Sequence, residues 1–368
     1  MKSYHNEVNK VRKSIHAFFD KAFVPFEING PDVSTLCGPK SGVFVVSSHR
    51  SHTDYFMMGL IMHERGVANI RFAAGDNLTN MPILGPRFQA WGAFTVERDS
   101  SLQRSYVRNL CEKVVGMLAD GDSILVFPEG GRSYGGGMME IRSGITAAGI
   151  LAQERDPSRT IYYIPAAISY ERPPELAFFP MVKAGKNLRK PAKNVFQRLI
   201  GALLYFGGDM LPFALFLLLP RFGKRYGGAY LDYGSPVKLT DWVDFAAAKD
   251  AGARDDFSAH RGSMQVLSKK IAEALRSLYR ILPAHVLASI IIDRGATTVE
   301  QARGLCPEVV AELNKLGRNC TTINTLTPEQ IVESGCAVMK SFGALRAKGG
   351  VLVVRKPWIV RYYAAALS

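Results

Sequence analysis

Short apolar runs alternate with longer helical patterns through most of this chain, and this alternation limits its fold more than any other feature. Runs with the length and the β-branched or aromatic content of strands lie at residues 42–48, 69–75, 92–97, 123–128, 160–170 and 229–239. The segments between them have the periodicity of helices. Such alternation predicts an α/β fold, in which a mostly parallel sheet is flanked by helices.

The clearest helical pattern lies at residues 99–121. Its apolar side chains share one face: Val107, Leu110, Val114 and Leu118. Asp99, Ser100 and Ser101 are candidate caps for its start, and Gly121 is suited to its end.

From about residue 240 the pattern becomes mainly helical. A stripe of leucine and isoleucine between residues 263 and 283 predicts a helix that Pro283 stops. We therefore expect an amphipathic helix within residues 1–40, an α/β domain at residues 41–240 and a helical C-terminal extension at residues 241–368.

A β-hairpin is predicted near the C-terminus, with its turn at Lys348-Gly349-Gly350. Helices followed by a hairpin resemble a winged-helix arrangement, which raises a DNA-binding alternative for residues 241–368. The pattern does not place a recognition helix, so we expect no nucleic-acid partner.

The chain is basic. Its 368 residues carry a formal net charge of +14, and its isoelectric point is about 9.6. Such a surface favours anionic partners: nucleic acid, phosphorylated metabolites or acidic lipid. The five cysteines are scattered, as is typical of free thiols in a reducing cytoplasm. The N-terminus lacks the continuous apolar core of a signal peptide.

Residues 183–225 form a basic–apolar–basic segment. Lysine and arginine without any acid precede an almost wholly apolar stretch at residues 199–220, and more basic residues follow. This pattern is typical of a segment that lies on or dips into an anionic leaflet. Gly207, Gly208, Asp209 and Pro212 interrupt the stretch, which favours two short interfacial helices over one spanning helix. A buried hairpin in an enzyme core is the alternative.

Residues 47–56, SSHRSHTDYF, contain the densest cluster of ionisable and hydroxyl side chains in the chain, directly after an apolar strand. We expect His49 at the strand end and Asp54 in the first turn of the next helix, folded back toward the imidazole. A carboxylate on one ring nitrogen leaves the other nitrogen as a base, which suits proton removal from a hydroxyl.

Two other interpretations of these residues stay open. Ser51 and Asp54 have the spacing of a helix capping box, so that Asp54 would only satisfy helix amides. His49, His52 and Asp54 could also form a metal site, although their spacing does not fit the clustered-histidine hydrolases.

Further polar clusters follow other predicted strands. GAFTVERD, residues 92–99, places Arg98 at a strand end, and FPEGGRS, residues 127–133, combines Glu129, Gly130, Gly131, Arg132 and Ser133. Glycines let backbone amides approach an anion, and arginine presents a rigid fork to phosphate. The apolar strand IPAAISY, residues 164–170, comes last.

In this order and spacing, HRSHTD, GAFTVERD, FPEGGRS and IPAAISY resemble the four motif blocks of the glycerolipid acyltransferases. HRSHTDY, AAGDNL (residues 73–78) and EGGRS are similar to the branch that acylates glycerol 3-phosphate or dihydroxyacetone phosphate. The resemblance covers roughly residues 40–240. It implies that residues 41–240 are the catalytic domain.

The sequence departs from that branch at two blocks. Thr95-Val96-Glu97-Arg98 stands where Phe-Ile-Arg-Arg is usual, and Pro128 is closer to the lysophosphatidate acyltransferases. Lysophosphatidate and dihydroxyacetone phosphate are therefore alternative acceptors.

The resemblance implies transfer of a long-chain acyl group from acyl-coenzyme A or acyl carrier protein to the sn-1 hydroxyl of glycerol 3-phosphate. It makes His49 the general base, Asp54 its orienting partner, and Arg98, Arg132 and the loop from Glu129 to Ser133 the phosphate site. Arg142 is a weaker phosphate candidate, and His52 is a structural neighbour. A thioester is already activated, so we expect no metal or cofactor.

By the same resemblance, the protein would act at the cytoplasmic face of the cell membrane as a peripheral or monotopic protein. Segment 183–225 would dock it there. The rival hypothesis is a non-catalytic membrane or nucleic-acid binder built on a degenerate acyltransferase core.

Overall fold

A computed structural model describes residues 2–36, 38, 40–75, 79, 84–97, 103–189, 195–223, 225–244 and 256–367. In these residues an eight-stranded sheet has the order β1-β7-β6-β2-β5-β3-β4, with β8 beside β6. Its strands are β1 (Phe26–Asn29), β2 (Ser41–Ser47), β3 (Ile70–Gly75), β4 (Ala93–Val96), β5 (Ser123–Val126), β6 (Thr160–Tyr170), β7 (Ala229–Tyr233) and β8 (Val237–Lys238). Only the pairs of β6 with β7 and with β8 are antiparallel, so the predicted α/β fold with a mostly parallel sheet is confirmed.

Helices flank this sheet and make up most of the chain toward the C-terminus. They are α1 (Lys2–Ala22), α2 (Asp54–Glu64), α3 (Leu84–Ala90), α4 (Arg104–Ala119), α5 (Ala148–Arg155), α6 (Phe179–Arg189), α7 (Val195–Leu218), α8 (Leu239–Trp242), α9 (Asp256–Ala259), α10 (Arg261–Leu278), α11 (Pro283–Asp293), α12 (Val299–Lys315), α13 (Pro328–Ser341) and α14 (Pro357–Ala365). Short 3₁₀ turns lie at Ser34–Leu36, Leu176–Phe178, Leu219–Phe222 and Ile323–Thr325.

The sheet is buried on both faces, which explains why its strands are continuous apolar runs. Successive residues of β2 point to opposite sides: Val43 and Val45 pack with α1 and α2, whereas Phe44 and Val46 pack with α4, α5 and α10. The alternation follows from the two-residue repeat of a strand. Because both faces are covered, polar groups are left to the edges of the sheet.

The helix predicted at residues 99–121 is α4. Leu110, Val114 and Leu118 are buried on its inner face, and Gly121 follows it in the left-handed conformation, with φ +84°. The candidate caps Asp99, Ser100 and Ser101 lie outside the described residues.

The sequence predicts one strand at residues 229–239, whereas the structure has two. The amide of Gly234 donates to the carbonyl of Pro165 instead of continuing the ladder, and Pro236 has no amide proton to donate. Strand β8 then resumes the pairing with β6 farther along.

The C-terminal helices form a separate core around α11, from which His285, Val286, Leu287 and Ile290 are buried. The predicted hairpin is confirmed as β9 (Leu345–Lys348) and β10 (Val351–Val354). Gly349 and Gly350 turn it with φ of +56° and +78°, which glycine adopts without steric cost.

The prediction that Pro283 stops the preceding helix is wrong. Helix α10 already ends at Leu278, and Pro283 begins α11. Tyr279 takes an extended conformation, with φ −61° and ψ 112°, and carries Arg280 into a buried ion cluster. Proline suits the first turn of a helix, where its missing amide has no partner to lose.

The prediction that residues 199–220 form two short helices is also wrong, because α7 runs unbroken through Pro212. A Cβ added at Gly208 would lie 2.9 Å from the amide nitrogen of Val182 on α6. The glycines therefore let two helices pack closely. Among the described residues no helix is both long and apolar enough to cross a bilayer.

Several large apolar side chains of α7 and the turn after it are exposed to solvent. Exposed fractions are 64% for Leu203, 50% for Leu211 and 83% for Phe222, and Leu217 and Leu218 are exposed as well. At 100° per residue, these positions of α7 fall on one side of the helix.

Arg280 joins the C-terminal region to the sheet. Its guanidinium donates to both carboxylate oxygens of Asp232, at 3.0 and 2.6 Å, and to Glu27 at 2.8 Å. Its backbone amide donates to the Ser169 hydroxyl at 2.9 Å, and the carbonyl of Asn319 accepts from the next amide. With 4% of the side chain exposed, this charge depends on its partners.

We expect Arg280→Ala to lower the free energy of unfolding by about 3–5 kcal/mol, because it leaves Asp232 buried without a counter-ion. Arg303→Ala is the matched control. It breaks a pair with Glu333 that is largely exposed, so its cost should stay below about 1 kcal/mol. Urea unfolding followed by circular dichroism measures both, and equal small losses would contradict the role given to Arg280.

Candidate active site

His49 and Asp54 lie on the loop that leads from β2 into α2. Strand β2 ends at Ser47 and α2 begins at Asp54, as the sequence predicts. The Nδ1 atom of His49 lies 2.9 Å from Oδ2 of Asp54. The short loop therefore folds the carboxylate back onto the imidazole.

Asp54 is fully buried and accepts several hydrogen bonds besides the one from His49. The amides of Arg50 and Ser51 donate to Oδ2 at 2.6 and 2.9 Å, and the hydroxyl of Tyr170 donates to Oδ1 at 2.6 Å. The bond from the Ser51 amide is half of the predicted capping box. Its other half is not formed, because the amide of Asp54 donates to the backbone carbonyl of Ser51 at 3.2 Å and not to the Ser51 hydroxyl. Asp54 thus holds both the loop backbone and the imidazole.

His49 sits among aromatic rings, with Phe127 stacked at 4.3 Å and Tyr55 edge-on at 5.0 Å between ring centroids. Burial lowers the pKa of His49 below its ordinary value of 6.5, although the hydrogen bond to Asp54 acts in the opposite direction. The imidazole is therefore neutral at pH 7. With its Nδ1 proton directed at Asp54, Nε2 carries the lone pair that can accept a proton.

The loop after β5 is joined to the His49 loop by two backbone contacts. The amide of His49 donates to Oε1 of Glu129 at 3.1 Å, and the amide of Ser133 donates to the carbonyl of His49 at 3.1 Å. β2 and β5 are neighbouring parallel strands, so their loops emerge at the same edge of the sheet. Clusters 80 residues apart in sequence thus become one site.

Glu129 is fully buried and its carboxylate is occupied by protein groups. Arg50 donates to both of its oxygens, at 3.3 and 3.2 Å, and the amide of Met139 donates to Oε2 at 2.8 Å. Burial alone would lower the pKa of Arg50, but Glu129, Tyr279 and Tyr362 together outweigh it and raise that pKa. The carboxylate of Glu129 therefore shapes the site.

The remaining residues of this loop differ in what they touch. Gly130 turns it with φ +70°, and the space where its Cβ would be is taken by the exposed side chain of Arg142. The hydroxyl of Ser133 donates to the carbonyl of Gly137. Gly131 has nothing within 4 Å of a Cβ position, so backbone approach from outside is open there.

Arg132 is buried, with 5% exposed. Its guanidinium carbon lies 5.3 Å from the ring centroid of Tyr134 and 5.9 Å from that of Phe179, and Nη2 donates to the Tyr134 hydroxyl at 3.1 Å. Arg132 is close enough to His49 for its charge to lower the pKa of that imidazole. Arg98, the other predicted phosphate ligand, lies outside the described residues.

Residues of the C-terminal region cover the side chain of Arg50. The guanidinium carbon of Arg50 lies 5.1 Å from the ring centroid of Tyr279, and the ring of His285 packs against Tyr279 at 5.7 Å. Helix α14 contributes Tyr362, whose carbonyl occupies the space where a Cβ on Gly136 would be. The loop after β5 is therefore enclosed by residues far along the chain.

Residues that sequence analysis did not select complete the site: Arg50, Tyr170, Glu175 and Tyr279. Glu175 is fully buried and accepts from the Ser51 hydroxyl and the His52 amide, both at 3.0 Å. Arg50 and Tyr170 stand inside the recognised blocks, which could have drawn attention to them. Glu175 and Tyr279 have no such signal in the sequence.

The metal alternative does not match this geometry, because Nδ1 of His49 is directed at Asp54. No group of three or more histidine, cysteine, aspartate or glutamate side chains in the described part of the chain is arranged to hold a metal ion.

Residues 26–169 match the family model named Acyltransferase. Over these residues the chain is similar to the acyltransferases. The match begins with β1 and ends in β6, so it includes the loops of His49 and Glu129. The match therefore also includes sheet residues before position 41.

Curated relatives extend the similarity beyond this domain. The glycerol-3-phosphate acyltransferase of Xanthomonas axonopodis pv. citri is 27% identical over 303 residues, which cover 80% of this chain and 32% of the relative. That of Actinobacillus pleuropneumoniae serotype 5b is 27% identical over 229 residues, covering 62% of this chain and 25% of the relative. The chain thus spans about a third of the length of the relatives it matches, or less. The family model and the names of these relatives support the resemblance to the glycerolipid acyltransferases.

The buried histidine of the C-terminal region predicts a pH dependence of stability. Burial lowers the pKa of His285 to about 3, and the charges of Arg50 and Arg318 act in the same direction. As pH falls below 6.5, the unfolded chain takes up a proton at His285 that the folded chain does not. Stability should therefore fall by about 1.4 kcal/mol per pH unit from this group.

In His285→Gln this contribution should vanish, while the amide oxygen can still accept from the Leu282 amide as Nδ1 does. His16→Gln, which changes a surface histidine bonded to Glu64, serves as the control. Urea unfolding over a pH series measures the slopes. An unchanged slope in His285→Gln would show that His285 is already protonated in the folded protein.

Proposed function

We propose that this protein is an O-acyltransferase of phospholipid synthesis that acylates the sn-1 hydroxyl of glycerol 3-phosphate. One observation carries the proposal: a neutral, buried His49 is held by Asp54 beside the Arg132 loop, within an acyltransferase-family domain. The names of the curated relatives support the acceptor. The donor is a long-chain acyl thioester on coenzyme A or acyl carrier protein.

His49 acts as the general base. Its Nε2 removes the proton of the sn-1 hydroxyl as the oxygen attacks the thioester carbonyl, and Asp54 stabilises the imidazolium that forms. The tetrahedral intermediate collapses with loss of the thiolate. The proton on Nε2 passes to that thiolate, which returns His49 to its neutral state and releases the thiol and the 1-acyl product.

Arg132 and Arg98 supply the positive charge for the acceptor phosphate. The bonds inside the loop indicate a different task for its other members: Glu129, Gly130 and Ser133 hold its shape, and Gly131 leaves room for the ligand. Arg142 lies over Gly130 and is a secondary candidate. A guanidinium that is already fixed by Tyr134 loses little entropy when it binds phosphate.

Segment 183–225 docks the enzyme on the anionic inner leaflet. The exposed apolar side chains of α7 support this proposal, as do the basic residues that flank the helix in the sequence. Apolar area and cationic charge together are what peripheral attachment requires.

Acyl transfer by the purified protein with vesicles present tests the function. Labelled palmitoyl-coenzyme A and palmitoyl carrier protein are each offered with glycerol 3-phosphate, dihydroxyacetone phosphate or lysophosphatidate. Labelled lysophosphatidate from glycerol 3-phosphate is expected. Product from lysophosphatidate alone would make Glu97 and Pro128 the better guides to the acceptor, and no transfer with any pair would favour the non-catalytic binder.

His49→Ala should reduce turnover by about 10² to 10⁴ if His49 is the general base. In the wild type, the acid limb of kcat/KM should lie below pH 6.5, because burial lowers the pKa of His49. His16→Ala controls for loss of a histidine as such. Near-normal turnover in folded His49→Ala protein would reduce the motif to a helix cap.

Neutralising Lys186, Arg189, Lys190 and Lys193 should weaken sedimentation with anionic vesicles and make it less sensitive to salt, because fewer charges attract the leaflet. Neutralising Lys315, Lys340, Arg346 and Lys348 in the C-terminal region is the matched control. Unchanged sedimentation of the first variant would show that this segment does not dock the protein.

A further inference from the structure

A cavity lies beside the loop after β5, which carries Glu129 and Arg132. It has a volume of about 510 Å³ and is lined on one side by residues 138–141 and on the other by α10. This volume is within the range of small-molecule sites.

Two hydrogen bonds, both to Glu129, connect the lining of the cavity to His49. Met139 lines it, and the amide of Met139 donates to Glu129, which in turn accepts from the amide of His49. Helix α10 reaches the same edge of the sheet, since the Arg280 amide after it is bonded to Ser169 near the end of β6. A ligand in the cavity would therefore touch the catalytic loop on its outer side.

The wall of the cavity combines apolar and cationic groups. Met138 and Ile141 supply apolar surface, and Lys269 and Arg276 supply positive charge against the single carboxylate of Glu140. Ser268 also lines it, and its hydroxyl has no hydrogen-bond partner among the described residues. The lining thus suits an anion with an apolar extension.

Neither of the two cations is neutralised by another residue that the structure describes. In the part of the chain that the structure describes, neither Lys269 nor Arg276 has an ion pair, whereas the neighbouring Lys270 pairs with Glu273 at 3.7 Å. Burial lowers the pKa of Arg318, and the charge of Arg276 lowers it further. An anion bound near Arg276 would relieve this repulsion.

We propose that this cavity binds the phosphate groups of coenzyme A in the acyl donor. The proposal rests on the proposed function, because only an acyl-coenzyme A donor brings such a nucleotide to this loop. Lys269 and Arg276 lie two turns apart on one face of α10, about 10 Å along its axis. That spacing suits a ligand with phosphates at two positions, such as the diphosphate and the 3′-phosphate of coenzyme A. The flexible pantetheine arm then carries the thioester toward His49.

Direct binding to the full chain, measured by calorimetry without lipid, tests the proposal. The probes are coenzyme A, 3′-dephospho-coenzyme A and inorganic phosphate, with anionic vesicles and acyl carrier protein assayed separately. The double variant Lys269→Ala, Arg276→Ala should bind coenzyme A about tenfold more weakly or worse, a loss of at least about 1.4 kcal/mol. Lys270→Ala is the control and should bind as the wild type does.

Kinetics add a second readout. The double variant should raise KM for palmitoyl-coenzyme A and leave kcat and KM for glycerol 3-phosphate unchanged. Equal affinity of wild type and double variant for coenzyme A would overturn the proposal. The proposal would also be overturned if the double variant bound coenzyme A normally and lost binding only to free phosphate, to vesicles or to carrier protein. Weakened coenzyme A binding in a protein that transfers no acyl group would support the cavity and reject the proposed function.

Discussion

The buried ion pair between Glu129 and Arg50 is the interaction on which the rest of the site depends. A carboxylate with no solvent exposure is stable only when its oxygens are fully bonded. Glu129 meets this condition by accepting from Arg50, from the amide of His49 and from the amide of Met139. The side chain of Glu129 therefore fixes the His49 loop and the loop after β5 relative to each other.

The same requirement extends to the C-terminal region. Arg50 must be covered to stay desolvated, and Tyr279 covers it from beyond α10. Tyr279 is in turn placed by Arg280, which is anchored to Asp232 on β7. The helices after residue 278 thus pack against the loops at the sheet edge and support them. This explains why buried polar groups occur both at the sheet edge and in the C-terminal core.

Asp54 and His49 lie side by side in different surroundings. Asp54 accepts hydrogen bonds from the imidazole, from two backbone amides and from the hydroxyl of Tyr170. His49 is buried among aromatic rings, which favours its neutral form. A carboxylate that accepts from a neutral imidazole is the pairing that general-base chemistry needs. Burial, two backbone amides and the hydroxyl of Tyr170 hold that pairing here.

Local sequence patterns determined much of this protein. The positions of most strands and the inner face of α4 follow from local periodicity. The β9–β10 hairpin and the approach of Asp54 to His49 follow from short spacing, because their partners lie within a few residues. The tertiary structure decided what depends on distant partners: the pairing of Arg50 with Glu129 across 79 residues, the bond of Tyr170 to Asp54 across 116, and the unbroken α7, whose glycines face α6. These contacts form only when the chain has folded and distant segments have come together. Local sequence patterns therefore cannot predict them.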